Sequence, residues 1–181
     1  MIVWVNGAFG SGKTTLVNEL RRHWPAALVY DPEQVGYVLR DIVDVPTGNF
    51  QDLRLWRRQV VSLALGLLEE YERPILAPMT LVNPQYVGEI FGALKEAEVV
   101  VHHFFLKVPA DVLAQRIDAR SVAPHDPERD EAARQWCKAQ IEQCVTAVDA
   151  LPVDTVFLDG ERPRQELAHE VLTRVGVSLG S

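Results

Sequence analysis

The chain has 181 residues, and 25 acidic against 18 basic side chains leave a formal net charge of −7. That length suits one domain over 1–181 with a sizeable core, and 48% hydrophobic with 24% charged residues is the balance of a soluble globular protein. The acidic balance, with no basic stripe to offset it, excludes a general nucleic-acid binder. The longest strongly apolar run, residues 60–68, is too short to span a bilayer, and no secretory signal opens the chain.

The first six residues are apolar and β-branched and predict a strand over 2–6. Directly after it, Gly7-Ala8-Phe9-Gly10-Ser11-Gly12-Lys13-Thr14 is a complete G-x-x-x-x-G-K-[ST] loop, and helical spacing follows from Lys13 to His23. Strand, glycine loop and helix together form a phosphate cradle. Gly7 and Gly12 let the backbone curl around an anion, so that successive N–H groups from Ala8, Phe9, Gly10 and Ser11 point at phosphate oxygens. The helix presents its positive end to the same charge. Lys13 supplies an ammonium for the β- and γ-phosphates, the Thr14 hydroxyl can ligate Mg²⁺, and Thr15 is taken with them into the cofactor-binding set.

A second strand is expected over 27–30 and a helix over 31–41. Asp31 stands between them, with Pro32 suited to a first helical turn, so it reads as an N-cap. At a strand end facing the phosphate loop it also reads as a group that accepts a substrate proton or organises Mg²⁺. The two roles are compatible, and Gln34 is taken with Asp31 into the substrate set. Residues 43–49 form a Pro- and Gly-broken loop. The helix expected over 52–71 places Leu53, Trp56, Val60, Leu63, Leu67 and Tyr71 on one face, leaving Arg57 off that stripe and free to reach a substrate.

A third strand over 74–78 runs into Met79-Thr80, which reads as a substrate wall or a structural turn. A helix over 84–97 and a strand over 99–106 follow, with His102 and His103 read as structural. On the helix over 110–120, Arg116 and Arg120 lie four apart and project together. They form either a solvated basic face or, beside a nucleotide, a base-stacking and phosphate-neutralising pair. A loop over 121–127, a helix over 128–150, a strand over 155–158 and a helix over 162–175 complete the chain. Cys137 and Cys144, seven apart on one helix and so roughly 10 Å along its axis, are too far apart to bridge. They share a core-facing stripe with Ile141, Val148 and Leu151, which fits a reducing, cytoplasmic location.

Strands alternating with helices predict a doubly wound α/β fold: a five-stranded parallel sheet with helices on both faces and ligands beyond the carboxyl ends of the strands. The loop at residue 7, the Asp-Pro-Glu after strand two and the Arg-x-x-x-Arg pair together resemble the small P-loop kinases, the adenylate, shikimate and gluconate kinases and chloramphenicol phosphotransferase among them. More narrowly, residues 4–14, Tyr30-Asp31-Pro32-Glu33, Phe50-Gln51-Asp52 with Leu55-Trp56-Arg57, and Pro78-Met79-Thr80-Leu81 resemble the tunicamycin-resistance protein family.

That resemblance implies a P-loop NTPase fold of nucleoside-kinase type, with a lid near 120–130 closing over ATP. Arg116 would pack on the adenine, Arg120 would reach the phosphates, and the 159–162 turn with Gly160 would line the adenine pocket. It implies ATP and Mg²⁺ as cofactors, Lys13, Asp31 and Arg120 as catalytic groups, and Thr14 with Asp31 near the metal. The acceptor would be a small molecule, tunicamycin or a nucleoside-like compound, contacted by Asp31, Gln34, Arg57, Met79 and Thr80. Because the drug carries a lipid chain, peripheral membrane contact stays open. One departure stands out: Ala77-Pro78 ends strand three where a Walker-B acid would stand. It leaves a protein that sequesters the drug with ATP, or a kinase of another metabolite, as alternatives.

Overall fold

Strand β1 (Ile2–Gly7) is buried along its whole length and runs down the middle of a five-stranded sheet. In this computed structural model, which describes residues 1–121 and 125–177, the strand order is β2-β3-β1-β4-β5. The remaining strands are β2 (Leu28–Val29), β3 (Ile75–Pro78), β4 (Val101–Lys107) and β5 (Val156–Asp159). Every neighbouring pair is parallel, with Val5 opposite Pro78 on one side and Phe104 on the other. The expected architecture is thus the one observed, a P-loop NTPase fold whose carboxyl strand ends share one edge.

Helices α1 (Lys13–His23) and α8 (Arg164–Arg174) cover one face, with Val3, Val5, Leu16, Leu20, Phe104 and Leu172 packed between. Helices α3 (Arg54–Tyr71) and α4 (Pro84–Glu96) cover the other around Trp4, Trp56, Val60, Ile75, Ile90 and Leu94. A third cluster, from Ala8, Phe105, Leu113, Ile117 and Cys144, ties the phosphate loop to α5 (Ala110–Asp118) and α7 (Ile141–Thr146). Among the described residues no helix is long and apolar enough to cross a membrane.

Three expectations need correction. Helix α2 (Glu33–Ile42) starts two residues later than its pattern suggested, because the Asp31 carboxylate accepts the Glu33 N–H at 2.9 Å and holds Asp31 outside the helix. On α3 the buried side follows Trp56, Arg57, Val60 and Ala64, which leaves Leu63 exposed; Tyr71, the last residue of the helix, is exposed as well. The long helix expected over 128–150 is broken into α6 (Pro127–Ala139), α7 and a 3₁₀ turn (Ala147–Ala150). The break falls at Gln140, whose N–H bonds Cys137 O in a tightened turn. The two cysteines therefore sit on different helices, both free, with Cys144 buried and Cys137 half-buried against the third cluster.

Candidate active site

The phosphate loop is built from the end of β1. Gly7 has φ 143°, and a Cβ there would stand 2.7 Å from Ser11 Oγ and 3.0 Å from Leu106 O, so only glycine fits the turn. Gly12, at φ 97°, precedes α1 in the left-handed region and aims the loop at the helix N-terminus. Ser11 Oγ is buried without a hydrogen-bond partner, an orphaned donor that an anion seated in the loop would satisfy.

Beneath the loop lies a polar network that the sequence did not disclose. Asn6 is fully buried; its Oδ1 accepts from Gly7 N at 2.7 Å and Leu81 N at 3.0 Å, and its Nδ2 donates to Leu81 O at 2.6 Å. These partners fix the amide orientation, so Nδ2 also donates to His103 Nε2 at 3.1 Å. Nδ1 of His103 must then carry the proton, donated to Thr155 Oγ1 at 2.8 Å. Burial pushes the His103 pKa down to about 4, and a second ring proton would also meet the Asn6 N–H₂ head-on. The effect is a rigid brace between the first loop glycine and the exit of β3.

Lys13 is buried and donates to Gly7 O at 3.0 Å and Ala8 O at 2.9 Å, with the Phe9 ring 5.5 Å away. Desolvation lowers its pKa, opposed first by the Glu33 carboxylate, while Arg120 pushes in the same direction as burial. The ends of β2, α5 and the loop thus converge on one ammonium.

Residues 10–15 open onto a cavity of about 970 Å³ that also takes in Arg116, Arg120 and Gly160. Arg116 reaches across to Gly160 O at 3.3 and 3.4 Å, and Gly160 is itself pinned by its N–H on Lys107 O at 2.8 Å. The structure thus brings the two arginines, the 159–162 turn and the phosphate loop around one cavity. Its wall extends to Pro163 and Gln165, residues that sequence spacing had assigned only to a helix.

The residues expected to contact an acceptor differ more from expectation. Asp31 is half-buried, and desolvation raises its pKa against the Glu33 N–H, the Lys13 charge and the exposed Gln34 side chain. Thr80 is buried with its hydroxyl donated to Gly7 O at 2.8 Å, so it clamps the phosphate loop. Met79 is 1% exposed and packs in the Trp4–Trp56 core, not on a substrate wall. Arg57 is not free: it is buried, bonds Glu89 and Gln51 O at 2.5 Å each, and stacks 4.3 Å over Tyr86. The helical row carrying Trp56, Val60 and Ala64 turns far enough to bury it. Of the expected lid, residues 122–124 lie outside the described residues. On its far flank Asp126 caps α6, and Arg134 bonds Asp130 and Arg120 O.

The AAA-domain family model matches residues 2–144, more than half the chain. The chain belongs to the AAA-domain family. No curated protein matches this AAA domain. Among solved structures it is similar to a Deinococcus radiodurans tunicamycin resistance protein, 24% identical, covering 99% of this chain and 98% of that one at TM-score 0.71. It is also similar to a sugar kinase from Janibacter sp., 18% identical over 98% and 95% at TM-score 0.65. A third is a Mycobacterium tuberculosis APS kinase solved with AMPPNP and APS, 15% identical over 96% of each chain at TM-score 0.64. These likenesses carry the fold of the P-loop kinases.

Among the described residues of this AAA domain, no group of three His, Cys, Asp or Glu side chains could hold a metal alone. An exposed Thr14 hydroxyl on the phosphate loop and a half-buried Asp31 carboxylate in the field of Lys13 remain. That sparse oxygen set fits Mg²⁺, which keeps several waters and shares its sphere with phosphates.

Proposed function

We propose that the chain is an ATP- and Mg²⁺-dependent phosphotransferase acting on a hydroxyl of a small molecule, tunicamycin or a nucleoside-like compound. The observation that carries this reading is Asp31: a carboxyl lifted in pKa by burial, at the end of β2, within the field of Lys13. A structural cap alone has no need to lie in the field of the phosphate-loop lysine.

The loop N–H groups and the α1 terminus hold the phosphates of ATP. The Lys13 ammonium exchanges the carbonyls of Gly7 and Ala8 for β- and γ-phosphate oxygens. Arg116 covers the base, and Arg120 neutralises charge on the transferring group. Asp31 orients the acceptor hydroxyl and takes its proton as the new O–P bond forms and the bond to the β-phosphate oxygen breaks, releasing ADP. Mg²⁺, held through Thr14 with Asp31 close by, would offset charge on the phosphates. The choice of tunicamycin is supported by the likeness over both full chains to the D. radiodurans protein. ATP use suits the cytoplasmic location expected from the sequence, in one domain over 1–181.

A second reading, ATP-dependent sequestration without transfer, is favoured by the end of β3, where Ala77-Pro78-Met79-Thr80 offers no acid. The two are separated by acceptor-dependent ADP release in wild type and Asp31→Asn. Transfer predicts release that the variant loses while calorimetry still shows ATP binding. Undiminished drug protection by Asp31→Asn in cells favours sequestration instead.

A further inference from the structure

A second cavity, about 70 Å³, adjoins the phosphate loop and shares no wall residue with the nucleotide pocket. Its walls combine the rings of Phe9, Tyr86 and Trp136 with five carboxamide side chains, Gln51, Gln140 and Gln143 among them. They come from four separate segments: the loop, the 3₁₀ turn Phe50–Asp52 with Asn49, the start of α4, and α6–α7. Among the described residues no lysine or arginine lines it, and the single carboxylate, Asp52, accepts the Tyr86 hydroxyl at 2.8 Å. Arg57, whose guanidinium lies 4.3 Å over that ring, is held by Glu89 through Nε and by Gln51 O through Nη1, and Lys13 is directed to the loop carbonyls.

We propose that this slot is the acceptor subsite and that it selects an uncharged, ring-bearing acceptor over an anionic one. The inference rests on the phosphotransferase reading. Aromatic faces bind a ring by stacking. Asn49 and Asn83 accept backbone N–H groups through Oδ1 and Gln51 donates to Thr80 O, so Gln140 and Gln143 are the carboxamides that offer both a donor and an acceptor without charge. A carboxylate or phosphate on the acceptor would enter without a cation to pair with and beside Asp52, which costs affinity. At roughly 30 Å³ per water, the slot holds about two waters, so a ring enters only if a wall gives way. Trp136 is the wall suited to do so: it is 39% exposed and meets Phe9 edge-on at 5.1 Å. It is therefore a specificity-determining residue whose displacement accompanies acceptor binding.

The test uses the full-length protein with a non-hydrolysable ATP analogue at saturation and calorimetry of matched pairs, uridine against uridine 5′-monophosphate and glucose against gluconate. The neutral member of at least one pair binds, at least about tenfold tighter than its anion. Its binding changes tryptophan fluorescence in wild type, and the change is lost in Trp136→Phe. Gln143→Arg, at an exposed position, narrows or reverses the preference. Equal or tighter binding of the anions by wild type, or no binding by either neutral compound, overturns the proposal. If neutral compounds bind as described yet no ADP forms with ATP, the subsite stands and the transfer reading fails.

Discussion

The two halves of the cleft were assembled by different routes. The nucleotide side is one contiguous motif followed by a helix, joined by a pair of arginines at helical spacing; residues 10–15, Arg116 and Arg120 all line one cavity. The slot proposed for the acceptor gathers Asn49, Thr80, Tyr86, Trp136 and Cys144, which no local period links. Local chemistry writes the phosphate loop into a short stretch, whereas the second slot is written in tertiary packing.

The sharpest way to break this contrast is to remove the ammonium of the phosphate loop. Lys13→Ala is expected to lower transfer about a thousandfold, with unfolding temperature monitored so that loss of its loop contacts is seen separately. A residual rate within tenfold of wild type would place phosphate recognition elsewhere. Asp31→Asn should cost about 10²–10⁴ in kcat with ATP affinity retained. Wild-type activity should fall on the acid side at a pH above the ordinary carboxylate range, because burial raises the Asp31 pKa and only the ionised form accepts the proton. The variant should lose that limb; an unchanged limb would assign it to another group.

Beneath the loop, His103 is neutral in the folded state with a pKa pushed to about 4, against about 6.5 in an unfolded chain. Between these values the unfolded state binds more protons, so stability should rise with pH across that window and fall as acid is added. The loss at its lower end is about 3 kcal/mol. Denaturant titrations at pH 7 and pH 4.5 read it, and His103→Gln should flatten the slope. The smallest effect concerns Arg57. Its burial against Glu89, Gln51 and Tyr86 predicts that Arg57→Met lowers Tm by about 5 °C. A raised acceptor KM with unchanged Tm would return Arg57 to the substrate.

What could be read from residues alone follows the same division. Lys13–His23 appeared at its expected bounds, because a glycine loop marks its start and its apolar spacing is unbroken. Arg57 and Met79 were misplaced for related reasons. Helical phase alone could not show how far the buried face of α3 turns, and a strand end does not reveal which side chain points into the core. The Asn6–His103–Thr155 brace spans 149 positions (155 − 6), and each member looks ordinary by itself. Trp136 left one trace, an aromatic at position 9 of the phosphate loop that needs a partner.

The central proposed step is the movement of a phosphoryl group from ATP to an acceptor hydroxyl under Asp31. Mass spectrometry of tunicamycin after incubation with ATP, Mg²⁺ and the protein tests it directly. The expected product is heavier by one phosphoryl group and is absent with Asp31→Asn. Drug of unchanged mass, under conditions where both ligands are shown to be bound, would contradict it.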